Sequence, residues 1–121
     1  MKRPLGINVD DAARSRLRKV FEDFPQVYLS FSGGKDSGVL LNMALEVARE
    51  MGRLPLDVML VDLEAQYQHT IEYVRRMFDN PDVRGHWICL PLNLRNSVSQ
   101  YQPFWMCWNP DVPDRWVRAM P

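Results

Sequence analysis

Cysteine is scarce in this sequence, which has only Cys89 and Cys107 among 121 residues. Two cysteines do not make the disulfide framework that is typical of small secreted domains. No apolar run approaches the roughly 20 residues of a membrane-spanning helix. No apolar signal core follows Lys2 and Arg3 at the amino terminus. We therefore expect a cytoplasmic protein.

An excess of charge of either sign is also missing, since 15 basic residues balance 15 acidic ones. A formal charge of zero argues against nucleic-acid binding driven by the chain as a whole. One predicted helix does carry a basic face, which is either a solvated surface or a patch for a partner. The residues of that face are Arg14, Arg16, Arg18 and Lys19.

Histidine and cysteine are too few and too badly spaced to predict a metal site. His86 and Cys89 lie three residues apart on a predicted strand, so they point to opposite faces of the sheet and do not easily share a tetrahedral zinc site. Cys89 is expected to be a core residue, whereas Cys107 remains a candidate redox thiol. His69 falls on a predicted helix without a recognisable partner. The sequence shows no recognisable Ser-His-Asp catalytic triad.

The order of the predicted elements indicates a single α/β domain with an open parallel sheet and flanking helices. A loose arm of residues 1–9 precedes the core, residues 10–90, and an irregular tail follows, residues 91–121. The predicted helices run from a cap at Asp10 or Asp11 to Asp23, from Asp36 to Met51, and from Gln66 to Phe78. The predicted strands are Val27–Phe31, Leu56–Leu63 and Trp87–Leu90.

The tail combines five prolines with four tryptophan or phenylalanine side chains and has weak periodicity. Such a segment has to bury its aromatic residues against something. It packs either over this domain, which is the interpretation we favour, or on a partner. The aromatic residues are Phe104, Trp105, Trp108 and Trp116.

The segment from Val27 to Leu41 predicts a strand, a glycine turn and the start of a helix. The turn contains Gly33 and Gly34, where the backbone can bend sharply and approach a ligand closely. The helix amino terminus directs free N–H groups and the positive end of its dipole at one point. This predicts an anion site for phosphate. It is not a Walker A loop, because Leu29 and Asp36 stand where that motif needs glycine and Ser or Thr.

The sequence Ser-Gly-Gly-Lys-Asp-Ser of residues 32–37 resembles the pyrophosphate (PP) loop of the adenine nucleotide alpha-hydrolase superfamily, in its phosphoadenosine-phosphosulfate (PAPS) reductase branch. Residues 56–66 and 89–96 are similar to a PAPS-reductase-related family that includes prophage gene-expression co-activators, which act beside a ParB-like nuclease. The resemblance implies a Rossmann-like fold. Members are usually much longer, so we expect this truncated chain to correspond to their amino-terminal part.

The resemblance also implies an adenine-nucleotide ligand, ATP or PAPS, held by the loop. The ligand contacts would come from the backbone amides and from the hydroxyls of Ser32 and Ser37, and Lys35 would neutralise phosphate charge. Asp36 either caps the helix or holds Mg²⁺ through water. The backbone around Ser30 would line the adenine.

Two further residues fall at the carboxyl edge of the predicted sheet, where ligands of open α/β folds bind. Asp62 either holds a metal or a ribose hydroxyl, or caps the third helix. Arg95 either grips a terminal phosphate or sulfate, or is an ordinary surface arginine.

Two functions follow from these residues. The first is a nucleotide-binding domain, and if it is an enzyme, Lys35 and Asp36 would assist attack at the α-phosphorus with release of pyrophosphate or sulfate. Reduction of PAPS is not expected without a second cysteine motif. The alternative is a non-enzymatic nucleotide-sensing co-activator whose aromatic tail docks a ParB-like partner. Assembly into a homo-oligomer is compatible with either.

Overall fold

Three helices alternate with three strands in the first part of the molecule. The structure, a computed structural model, describes residues 6–121, so the predicted arm lies largely outside the described residues. The elements are α1 (Val9–Asp23), β1 (Tyr28–Ser30), α2 (Lys35–Glu50), β2 (Leu56–Asp62), α3 (Gln68–Phe78), β3 (Val83–Cys89), β4 (Leu92–Arg95), β5 (Phe104–Cys107) and a short 3-10 helix (Pro113–Arg115).

The strands β1, β2 and β3 form one parallel sheet in that spatial order. Leu29 is opposite Val58, which is in turn opposite Gly85. The prediction of an α/β fold with an open parallel sheet is therefore confirmed. Strand β3 begins at Val83, earlier than the predicted Trp87, because Arg84 and His86 interrupt the apolar pattern that marks a buried strand.

One face of the sheet carries the hydrophobic core. Side chains alternate between faces along a strand, and Val58 and Leu60 of β2 are 0% and 1% exposed. Leu41 and Val47 of α2 and Val74 of α3 belong to the same buried cluster, so both helices cover this face. Complete burial of one such aliphatic side chain contributes about 1.5–3 kcal/mol.

Helix α3 approaches the backbone of β3 very closely at Gly85. A Cβ atom at this position would lie 2.4 Å from Cδ2 of Phe78, the last residue of α3. The Phe78 ring also packs edge-on against Trp87, with 5.6 Å between ring centroids. Glycine at position 85 thus lets the end of α3 rest on the strand itself.

The other face of the sheet is exposed, and no helix of residues 6–121 covers it. Tyr28 of β1 is 64% exposed and Val61 of β2 is 38% exposed. The register places eight side chains on this surface, which we call the open face: Tyr28, Ser30, Asp57, Met59, Val61, Arg84, His86 and Ile88.

Helix α1 packs against α2 and is capped by Asn8, whose side chain accepts a hydrogen bond from the Asp11 amide. The prediction of a cap at Asp10 or Asp11 was wrong, because Asn8 is also a strong cap residue and lies one turn earlier. The ion pairs Arg14–Glu46 and Arg18–Glu50 span 2.7 and 2.9 Å and join α1 to α2. These pairs neutralise two of the four basic residues of α1, which argues against a basic patch for a partner or nucleic acid.

None of the helices among residues 6–121 has the length and apolar content that crossing a bilayer requires.

The tail contains a β-hairpin that the sequence did not predict. Strands β4 and β5 pair in antiparallel fashion, with Leu94 opposite Trp105. After the hairpin, Trp108 is 2% exposed and its indole Nε1 donates to the carbonyl of Asp62 at 2.7 Å. The prediction that the tail packs over the α/β core is confirmed at this residue.

Candidate functional site

Residues 32–37, which we call the loop, lead from the end of β1 into the first turn of α2, and no side chain caps the start of this helix. Gly33 has a left-handed φ of +75°, and Gly34 is the extended residue that precedes the helix. The first helical hydrogen bond runs from the Gly38 amide to the Gly34 carbonyl, at 2.9 Å. The amides of residues 35–37 come before this bond, so they can bind an anion.

Two hydroxyls tie the ends of the loop together. Ser37 Oγ donates to the Gly34 carbonyl at 3.0 Å and lies 2.9 Å from Ser32 Oγ. The Gly34 amide donates to Ser32 Oγ at 3.3 Å. Because Ser37 uses its proton on the carbonyl, Ser32 is the donor between the two hydroxyls. The loop thus satisfies its own hydroxyls while it remains exposed to solvent.

Helix α3 supports the loop from the side. A Cβ at Gly33 would lie 2.7 Å from Thr70 Cγ2 and 2.9 Å from Val74 Cγ2. A Cβ at Gly38 would lie 2.6 Å from the Tyr73 hydroxyl. Sequence reasoning identified the glycine turn but missed these supporting residues of α3. Val74 is one of the buried residues of α3, whereas Thr70 and Tyr73 carry no feature in the sequence that would indicate this contact.

Lys35 and Asp36 both lie at the solvent-exposed start of α2. Their side chains are each 92% exposed and form an ion pair of 3.2 Å. Such surface pairs contribute little stability, so either side chain can turn towards a ligand at low cost. Asp36 occupies the first turn without capping the helix by a hydrogen bond, so the capping role is not seen, and a role with Mg²⁺ stays a prediction.

Asp62 ends β2 at the carboxyl edge of the sheet and is fully buried. Its Oδ1 accepts from the Glu64 amide at 2.8 Å, and its Oδ2 accepts from Trp87 Nε1 at 2.7 Å. Arg118 from the tail donates to both carboxylate oxygens. Asp62 does not cap α3, whose N-cap is Tyr67. A role with metal or ribose stays a prediction and requires Arg118 to move.

Glu64 is a second buried acidic residue at this edge, and sequence reasoning gave it no role. It is 2% exposed, has a left-handed φ of 67°, and accepts from the backbone amides of Trp108 and Val117. Arg118 Nε donates to the Glu64 carbonyl at 3.1 Å. We call Asp62, Glu64, Trp108 and Arg118 the edge cluster. The sequence feature that could have indicated this cluster is the pair of acidic residues, Asp62 and Glu64, directly after an apolar strand.

The remaining predicted ligand residues lie on different elements. Ser30 is the exposed last residue of β1, directly before the loop. Arg95 is the exposed last residue of β4, opposite Phe104 in the hairpin. Within the part of the chain that the structure describes, no hydrogen bond joins Arg95 to the loop, so its role as a phosphate ligand stays a prediction.

His86 and Cys89 point to opposite faces of the sheet, as their spacing predicts, whereas His69 does have a partner, since its Nδ1 atom lies 3.2 Å from Glu72 Oε2. His86 is opposite Met59 on the open face, and Cys89 is opposite Asp62 on the buried face. The His86 Nε2 atom lies 2.8 Å from Asp57 Oδ1, and this hydrogen bond lowers the pKa of Asp57. Burial, and then the charge of Asp62, raise the pKa of Cys89. Among residues 6–121, no three His, Cys, Asp or Glu side chains cluster closely enough to hold a metal ion.

Known proteins resemble this chain over most of its length. Residues 26–109 match the family described as phosphoadenosine phosphosulfate reductase domain. A protein of Escherichia coli (strain K12) named "Uncharacterized protein YbdN" is 46% identical over 99% of this chain. Sulfate adenylyltransferase subunit 2 of Mycobacterium tuberculosis (strain ATCC 25618 / H37Rv) is 46% identical over 46% of it.

These relatives are much longer than the chain. It spans 30% of the length of the E. coli protein and 18% of the mycobacterial subunit. No solved structure matches the chain significantly.

Proposed function

The chain belongs to the phosphoadenosine phosphosulfate reductase domain family, and on that premise we propose that it binds the phosphates of ATP or PAPS on the loop of residues 32–37. The observation that carries this proposal is the uncapped start of α2 beside Gly33 and Gly34. A helix that begins without a side-chain cap leaves its first amides available for an anion. The mycobacterial relative is named a sulfate adenylyltransferase subunit, which supports an adenine nucleotide as the ligand.

Each residue of the loop has a distinct part in this proposal. The Ser32 and Ser37 hydroxyls, which now bond to each other and to Gly34, would turn to the phosphate oxygens. Lys35 would neutralise phosphate charge with its exposed ammonium group. The backbone at Ser30, where β1 ends, would line the adenine.

Mg²⁺ fits the loop only as a companion of the nucleotide. Asp36 is 92% exposed at the start of α2 and would hold the ion through water, the usual arrangement when phosphates supply most of its ligands. The ion would share the charge of the leaving pyrophosphate. Asp62 would reach ribose or metal only after losing Arg118, and Arg95 would grip a terminal phosphate or sulfate.

An enzymatic reaction at this site would be attack on the α-phosphorus with release of pyrophosphate or sulfate. The loop amides and Lys35 would stabilise the negative charge that develops on the leaving group. Among residues 6–121, no side chain near the loop is a convincing general base, so the acceptor would supply its own nucleophile. We propose that the protein works in the cytoplasm.

The test of nucleotide binding is isothermal titration with ATP and with PAPS, each with and without Mg²⁺. We expect the substitution Gly34→Asp to weaken binding at least tenfold, because it places a carboxylate where the phosphates would lie. Gly34 has φ −78°, and a Cβ there meets only Ser32 Oγ, at 3.3 Å. Aspartate is also a better N-cap than glycine, so the variant should keep its thermal stability.

The control is Gly6→Asp, since a Cβ at Gly6 has no neighbour within 4 Å and the residue precedes α1; because its φ of +72° strains any side chain, this control is compared for binding and not for stability. Binding should be unchanged in this variant. A wild-type chain that shows no heat of binding with either nucleotide at millimolar concentration would remove the proposal.

The second candidate function is a nucleotide-sensing co-activator, of the kind found in prophages, that docks a ParB-like partner. The hairpin favours it, because Val98 and Tyr101 at its tip are 93% and 98% exposed and Phe104 on β5 is 62% exposed. An assay for pyrophosphate release in the presence of the partner separates the two functions. Release indicates an enzyme, whereas nucleotide-dependent capture of the partner without release indicates a sensor. Capture of a second copy instead would indicate a homo-oligomer.

A further inference from the structure

Residues 116–118 of the tail lie across the carboxyl edge of the sheet, and we call them the strap. Arg118 donates to both carboxylate oxygens of Asp62, and its Nε donates to the Glu64 carbonyl at 3.1 Å. The Val117 amide donates to Glu64 Oε1 at 2.7 Å. The strap therefore binds both the last residue of β2 and the turn that follows this strand.

The loop of residues 32–37 leaves the sheet at the same edge, one strand away. Strands β1 and β2 are parallel neighbours, and the Phe31 amide donates to the Met59 carbonyl at 2.8 Å. Ser32 comes directly after Phe31, and Asp62 ends β2 three residues after Met59. Neighbouring strands are about 4.8 Å apart, and ligands of open α/β folds bind outside the carboxyl ends of the strands. Asp62 is therefore the carboxylate that a nucleotide on the loop would meet at the neighbouring strand.

The closed strap carries two energetic costs. Glu64 has a φ of 67°, in the left-handed region that a residue with a Cβ adopts only with strain, and the strap supplies two of the hydrogen bonds that hold it there. Among residues 6–121, Arg118 Nη1 is buried without a hydrogen-bond partner, which is costly for a charged group. Release of the strap would remove both costs, so a ligand that competes for Asp62 can displace it.

The hydrogen bonds of Asp62 decide which ligand can compete with the strap. The Glu64 amide and Trp87 Nε1 each donate to one carboxylate oxygen, and Arg118 donates to both. An ionised carboxylate only accepts hydrogen bonds, so a ligand group with two neighbouring donors can take the place of Arg118. The adjacent 2′- and 3′-hydroxyls of a ribose are such a group. A 3′-phosphate in place of one hydroxyl would instead bring negative charge to the carboxylate.

We propose that residues 116–118 are an autoinhibitory strap, which a nucleotide with free 2′- and 3′-hydroxyls displaces from Asp62 when its phosphates bind the loop. The ligand is then ATP rather than PAPS, since PAPS carries a 3′-phosphate. This inference rests on the proposed function, because it requires phosphates on residues 32–37. The closed strap lowers the apparent affinity for ATP in proportion to the fraction of molecules in which it is open.

The experiment measures binding of ATP and of 2′,3′-dideoxy-ATP by isothermal titration to the 121-residue chain and to its Arg118→Met variant. Both ligands carry the same base and triphosphate, but only ATP can compete for Asp62. We expect Arg118→Met to bind ATP about tenfold more tightly than wild type and dideoxy-ATP with unchanged affinity. The control is Arg115→Met, which removes the same charge from an exposed residue next to the strap and should not tighten the binding of either ligand.

A second measurement uses the wild-type chain and therefore does not depend on the folding of a variant. Hydrogen exchange of the Val117 amide, which is bonded to Glu64 in the closed strap, is followed by mass spectrometry. Coupling between two sites is reciprocal, so a strap that weakens ATP binding must be loosened by ATP to the same extent. We expect saturating ATP to speed this exchange about tenfold, and dideoxy-ATP to leave it unchanged.

The two ligands separate failure of the strap from failure of the nucleotide site. Absence of binding of both ligands to all three chains would remove the phosphate site on the loop, and the strap with it. Binding of ATP with equal affinity to wild type and Arg118→Met would leave the loop as a phosphate site and overturn the strap alone. Slower exchange of Val117 with ATP would also overturn it, because the strap would then close over the nucleotide.

Discussion

Gly33 meets two separate constraints at a single residue. Its φ of +75° is unfavourable for any residue with a Cβ, and such a Cβ would lie 2.7 Å from Thr70 and 2.9 Å from Val74. We expect Gly33→Ala to reduce the free energy of unfolding by about 2–4 kcal/mol, since backbone strain and overpacking add. Urea unfolding followed by circular dichroism measures this loss.

Gly52 provides the comparison that separates the two constraints. Its φ is +67°, but a Cβ there would have no neighbour within 4 Å. Gly52→Ala should therefore cost only the backbone contribution, about 1 kcal/mol. Equal losses for the two variants would mean that α3 does not restrain the loop.

Asp57 should make the stability of the protein depend on pH in the acid range. Its pKa is lowered, first by the hydrogen bond from His86 and then by the charge of Arg84. A lowered pKa means that the stabilisation is present above the unfolded value of about 3.9 and is lost as the pH falls through the folded value. We expect Asp57→Asn to flatten the decline in stability below about pH 4. Urea midpoints at pH 2.5–6 would reveal it, and parallel curves for variant and wild type would contradict it.

At the scale of elements, the edge cluster fastens the tail to the end of β2. Arg118 is 20% exposed and pairs with Asp62, which is fully buried. We expect Arg118→Met to destabilise the protein by about 3 kcal/mol, because removing one partner leaves the other charge buried without compensation. Thermal unfolding of Arg115→Met is the control, since Arg115 is exposed in the neighbouring 3-10 helix. A similarly small loss of thermal stability in both variants would mean that the edge cluster does not hold the tail on the end of β2.

The elements that could be predicted are those whose buried residues form a regular apolar pattern in the sequence. Helix α2 buries Leu41, Ala44, Leu45 and Ala48 at helical spacing, and β2 is a continuous apolar run. The start of β3 could not be predicted, because Arg84 and His86 lie on the exposed face of the sheet and interrupt the apolar pattern of a buried strand. The hairpin was hidden by flanking prolines and by exposed apolar side chains such as Phe104.

The candidate site likewise has one part that could be predicted from the sequence and one part that could not. The loop could be predicted because Gly33, Gly34 and the following helix are adjacent in the sequence. The edge cluster joins Asp62 and Glu64 to Trp108 and Arg118 across more than 40 residues, with sequence separations of 44 and 56 for two of its hydrogen bonds. No local pattern records which acidic residue meets which tail residue. The sequence therefore left Asp62 between a ligand contact and a cap of the third helix, and it did not indicate the ion pair with Arg118.

At the scale of the whole molecule, the tail and the sheet should unfold together. Trp108 and Trp116 pack edge-on with centroids 5.3 Å apart, and Trp108 bonds to Asp62 and Glu64 at the end of β2. We expect tryptophan fluorescence and the circular dichroism signal at 222 nm to give the same urea midpoint, as a two-state transition requires. An earlier fluorescence transition would mean that the tail detaches first. In Arg118→Met the two midpoints should separate.

Helix α3 touches main chain at both of its ends, with Thr70 and Val74 against Gly33 and with Phe78 against Gly85. At these two points a side chain of α3 rests directly on glycine main chain, so a single layer of side-chain atoms separates the helix from the backbone beneath it. Such a contact has less room to adjust than two interdigitating side chains have. We therefore expect the spacing between α3 and the loop of residues 32–37 to change little when other core residues are substituted.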